Sequence, residues 1–133
     1  MNPTLKWGHL MAKTTAKDFK LFKGACEKWI DFFGLKGWEV SFRHEKIEDN
    51  ARAEITFNAI EDRMACIVLG IDWLSNPVND RIIRKVAFHE VMEIFCRRWV
   101  YLAYERGVRD IEIAEEKHHI IRTLENVIFE NME

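Results

Sequence analysis

From Asp80 to Tyr104, apolar residues recur at helical spacing. On a wheel at about 100° per residue they leave almost no wet side. Ile82, Ile83, Val86 and Val100 fall on one face, and Phe88, Val91, Phe95, Trp99 and Leu102 cover the opposite one. A helix that is apolar nearly all round is central, with other elements packed about it. The stretch SNPVND before it supplies an N-cap, Asn76 or Asn79, and Gly107 closes it.

The rest of the chain supplies what surrounds that helix. Its 133 residues are 48% hydrophobic, with nine Phe and five Trp, which suits one domain over residues 1–133 with a single core. Only two Pro and six Gly argue against low complexity or disorder. Residues 1–14 show no period and read as a loose arm. Thr15 and Asp18 have the spacing of a capping box. Behind it, Phe19, Phe22, Cys26, Trp29, Ile30 and Phe33 keep helical spacing until Gly34 and Gly37.

Trp38, Val40 and Phe42 then alternate with Glu39, Ser41 and Arg43, as in a strand with one wet face. The stretch from His44 to Asn50 reads as a loop. Ala53, Ile55 and Phe57 alternate with Glu54 and Thr56 in a second strand, and residues 58–63 connect onward. Ala65 to Ile71 is apolar on both faces, which places it nearer the middle of a sheet. A last helix opens at Asp110 and carries Ile113, Ile120, Ile121, Leu124, Val127 and Ile128. The expected fold is α+β. An N-terminal helix precedes a small, mostly antiparallel three-stranded sheet, and two C-terminal helices follow, all packed on one face.

Bulk chemistry narrows the function classes. A net charge of −2 gives no electrostatic reason to expect nucleic acid or an anionic membrane as partner. No apolar run approaches the roughly 20 residues needed to cross a bilayer, and the N-terminus has no leader pattern. Cys26, Cys66 and Cys96 are odd in number and widely spaced in apolar stretches. They read as free thiols in a reducing compartment, and the chain as cytoplasmic.

The central helix also carries AFHEVMEIF, which sets His89, Glu90 and Glu93 on the face shared with Ile82 and Val86. Buried carboxylates need counter-charge. Arg97 can provide part of it, and a divalent metal can provide the rest. His89 and Glu93 are four apart, so a helix can present both to one ion, with Glu90 beside it as a general base. A third ligand must come from elsewhere, and EEKHH, Glu115 to His119, is the other dense donor set. Glu116 lies nearest the apolar face of its helix, while His118 offers the commoner zinc donor. His9 and His44 fall in stretches read as loop. The alternatives are an ion-pair network through Arg84, Arg97 or Arg122, and a di-metal carboxylate site from the ExxH spacings Glu115/His118 and Glu116/His119. The second would need four long helices.

This layout resembles the minimal zincin metallopeptidases, especially short phage and bacterial members. The resemblance runs through WEVSF, ARAEITFNA, ACIVLGI, IIRKVAFHEVMEIF and EEKHHIIRTLENVI. It implies zinc held by His89 and a third ligand, His118 or Glu116 (or His119), with Glu90 as general base in peptide hydrolysis. Glu93 stands where that family has its second His, a change that moves metal preference toward manganese or magnesium. The implied partner is a protein or peptide, bound as substrate by strand addition near Arg52 to Phe57. A catalytically inactive relative that only binds a phage or host protein is the alternative.

Overall fold

A computed structural model of the chain describes residues 11–58 and 62–133. Three strands form its main sheet: β2 (Glu39–Glu45), β3 (Ala53–Phe57) and β4 (Met64–Gly70). β4 is central, flanked by β2 and β3. Side chains on neighbouring strands line up across the sheet. Val40, Ala65 and Phe57 share one row, and Phe42, Ile67 and Ile55 share the next. These rows all project to one face, and that face packs into the hydrophobic core. The opposite face carries Ser41, Thr56, Arg43 and Glu54, as alternation demands.

The sheet is mixed rather than mostly antiparallel. β3 and β4 are antiparallel, whereas β2 runs parallel to β4. The connection between β2 and β3 therefore crosses the end of β4 instead of making a hairpin. Gly70 is where it crosses. The Gly70 N–H donates to the Arg52 carbonyl at 2.8 Å, and the Ile71 N–H to the Glu45 carbonyl at 3.2 Å. A Cβ at Gly70 would lie 2.4 Å from the Ala51 carbonyl oxygen, so only glycine admits the crossing chain. Alternation along each segment says nothing about which neighbour it takes, so strand direction was not readable from it.

A second sheet was not expected. β1 (Ala12–Lys13) pairs antiparallel with β5 (Asp72–Leu74), both too short to show a period. Thr14, expected in the loose arm, is 5% exposed. Its hydroxyl donates to the Gly70 carbonyl at 2.7 Å and lies 2.8 Å from His44 Nε2. His44 is itself the sixth residue of β2, not loop, and stacks on Phe19. The arm is thus pinned from Ala12 onward, and its residues 1–10 lie outside the described residues.

Helix α1 (Ala16–Phe32) starts at the Thr15–Asp18 capping box, with both reciprocal bonds present. It buries Phe22, Cys26 and Trp29 against α2 (Asp80–Glu105), where Trp29 meets Phe88 edge-on at 4.9 Å. Asn79 caps α2 through a side-chain bond to the Ile82 N–H. The helix is buried from Ile83 to Val100 except on the site side and at its far end. There the wheel overstates burial: Phe95, whose ring meets only that of Phe33, at 5.5 Å, among the described aromatic contacts, and Leu102 are 45% and 47% exposed.

Helix α3 (Asp110–Leu124) folds back along α2 and continues through a π-helical turn, Glu125–Phe129, and a last α turn, Glu130–Met132. The π turn adds a residue to the repeat and rotates the face that follows it. Val127, expected in the core, is consequently 59% exposed, and Phe129 is fully buried against Phe88. Among the described residues no helix is long and apolar enough to cross a membrane.

Candidate metal centre and cleft

The middle of α2 faces α3, and the four-residue spacing of His89 and Glu93 does what a helix must do with it. Their Nε2 and Oε2 atoms lie 3.5 Å apart. From α3, His118 comes to the same place, its ring centroid 6.3 Å from that of His89. One donor atom from each of His89, Glu93 and His118 can be chosen so that all lie within 4.8 Å of one another. Donors round a tetrahedral zinc stand roughly 3.4 Å apart. Modest side-chain rotation would close that gap, so the donor set fits such an ion.

The other members of EEKHH go elsewhere. Glu115 and Glu116 line a separate cavity with Trp99 and Glu112. His119 is exposed and takes no part in the cluster. The four-helix requirement of a di-metal site is not met among the described residues, which form three long helices and two sheets.

Two further residues complete the cluster, and neither was picked out from the sequence. Lys117 Nζ sits 2.8 Å from Glu93 Oε1. Glu125 Oε2, at the start of the π turn, lies 3.6 Å from His89 Nδ1. The sequence held a signal for the second: Glu125 is seven residues from His118, two turns on along one face. Arg97, expected as the counter-charge, instead lies over the Phe57 ring at 4.6 Å, and Arg84 pairs with Glu133. The charge partner of Glu93 comes from across the helix interface, not from the next turn of its own helix.

These contacts set the protonation states. Glu125, then Glu93, hold His89 up to about 9. Burial alone would raise Glu93, but bonds from His89 and Lys117 outweigh it and keep that carboxyl below its ordinary value. Glu90 differs from both. It is 7% exposed, with no hydrogen bond to its carboxylate among the described residues. Burial pushes it up to about 7, the nearby His89 charge only partly opposing. A carboxyl poised near neutrality can both take and return a proton.

Beside the cluster opens a cleft of about 600 Å³. Val86, His89 and Glu90 of α2, Ala53 of β3 and Glu125 wall it. His89 thus belongs to cluster and cleft alike, and Glu90 is reached from the cleft side. β3 is an edge strand, paired only with β4 among the described strands.

No family model, curated protein or solved structure matches this chain.

Proposed function

We propose that the chain is a metal-dependent hydrolase of the zincin type, acting on a peptide. The observation that carries this reading is the meeting of His89, Glu93 and His118 from two helices beside a cleft that Glu90 lines. His89 and His118 would hold the ion with Glu93, and a carboxylate in that set admits manganese or magnesium as well as zinc. The ion, when bound, supplies the Lewis acidity that activates water and polarises a carbonyl.

The chain's own residues would do the rest. Glu90, kept part-protonated by burial, accepts the proton of the attacking water and returns it to the leaving amine. Glu125 orients His89 through Nδ1, leaving Nε2 for the cluster. The outer edge of β3, unpaired among the described strands, can take an extended substrate as an added strand. Cys26, Cys66 and Cys96 are all free thiols, which suits work in a reducing, cytoplasmic compartment.

One contact favours a second reading. Lys117 already neutralises Glu93, and protonated His89 stands between Glu93 and Glu125. That network is closed in charge without an ion, as in an inactive binding module. Metal analysis of chain purified without chelator separates the two. About one ion per chain, lost in His89→Ala, supports the hydrolase, and no ion supports the binder. Within the hydrolase reading, Glu90→Gln should keep the metal and lose hydrolysis. Undiminished hydrolysis would take Glu90 out of the mechanism.

A further inference from the structure

Cations crowd the wall of the cleft, in a chain whose net charge is −2. Arg81, Lys85 and His89 follow one another at four-residue spacing along a single ridge of α2. Arg52 lines the cleft from just before β3 and Arg122 from α3. Among the described residues two carboxylates line the same wall, Glu90 and Glu125, and Glu125 is engaged by His89. Arg81 and Lys85 are bridged by Glu130, which does not line the cleft. Arg52 and Arg122 have no carboxylate partner among the described residues. The Arg52 guanidinium rests 6.0 Å from the Trp73 ring, which leaves its donors free.

We propose that this cleft recognises an extended peptide bearing acidic side chains, bound along the edge of β3. The inference deepens the reading of the cleft as a substrate site. Strand addition presents every second side chain of a peptide to the same side. The guanidinium groups of Arg52 and Arg122, which carry no carboxylate partner among the described residues, can each take a peptide carboxylate in bidentate geometry, with Arg81 and Lys85 adding positive charge on the same wall. Single-stranded nucleic acid would also seek cations, but it needs aromatic platforms for its bases. Among the described residues no aromatic side chain lines this wall.

The test is fluorescence anisotropy with a short labelled peptide of alternating Glu and Ala, using the full chain in EDTA so that binding is read apart from any metal. The Glu–Ala peptide should bind with an affinity that falls as salt rises, and its Gln–Ala counterpart should bind on the order of tenfold more weakly. Arg52→Gln combined with Arg122→Gln should weaken Glu–Ala binding by about tenfold with an unchanged circular dichroism spectrum, since neither guanidinium is tied to a carboxylate. Glu130→Gln, which frees Arg81 and Lys85, should leave binding equal or tighter. Equal binding of the two peptides, indifference to the double substitution, or tighter capture of labelled oligothymidylate would overturn the proposal. Zinc uptake is scored separately. Acidic-peptide binding by a chain that takes no metal upholds this inference and removes the hydrolase, and metal uptake without peptide preference does the reverse.

Discussion

Replacing Glu90 by Gln should make the metal-free protein more stable, and by an amount that depends on pH. Glu90 is buried on α2 with no hydrogen bond to its carboxylate among the described residues, and its pKa moves from 4.5 to about 7. The folded state thus holds the proton more tightly than the unfolded chain. Its contribution to stability is fully present below about 4.5, declines as pH rises toward the folded value, and is gone above about 7. The anion is disfavoured by about 3 kcal/mol, at about 1.4 kcal/mol for each tenfold change in proton affinity. Gln has nearly the same shape and no charge to desolvate. Glu90→Gln should therefore gain up to about 3 kcal/mol over the parent at pH 8 and close to nothing at pH 4.5. Urea unfolding in EDTA, followed by the fluorescence of the five Trp, measures both. His89, held up to about 9, also links stability to pH, but it is present in both proteins and largely cancels in the difference. A substitution that destabilised equally at both pH values would refute the reasoning, since it would mean that the carboxylate has a partner worth more than its desolvation. The gain would come at the expense of the one group poised to move a proton, the usual conflict between stability and activity at a working site.

Three other outcomes follow from particular contacts. Gly70→Ala drives a methyl to 2.4 Å from the Ala51 carbonyl, and chemical denaturation should show a loss of about 3 kcal/mol or more, the upper end of overpacking costs. Thr14→Val removes the hydroxyl that donates to the Gly70 carbonyl at 2.7 Å. It should cost about 1–2 kcal/mol and raise protease sensitivity at the pinned arm, with thermal unfolding and limited proteolysis as readouts. Lys117→Met takes away the cation that competes for Glu93. Zinc affinity by calorimetry should rise on the order of tenfold, while unchanged affinity would show that Glu93 is not a ligand.

The elements themselves were legible because each is written in local chemistry. The Thr15–Asp18 box and the Asn76/Asn79 pair, of which Asn79 is the cap, announce helix starts, and Gly107, at φ 74°, marks a stop. Alternation from Glu39 to Arg43 announces a strand. His89 and Glu93 were readable as a pair for the same reason, since both the spacing and the burial of the helix are written within one segment. The short strands β1 and β5 escaped because two or three residues carry no period.

Choices between segments have no such local record. Whether β2 runs parallel or antiparallel to β4 depends on a chain crossing that Gly70 permits, and alternation is the same either way. Whether Glu116, His118 or His119 reaches His89 depends on how α3 is rotated against α2, and its hydrophobic stripe is broad enough to allow more than one answer. The identity of the counter-charge depends on it too: Lys117 reaches Glu93 across the interface, and Arg97 turns to Phe57. Caps, periods and burial are one-dimensional properties of a chain. The meeting of two helices is set by the packing of whole faces, and it is there that the candidate site was decided.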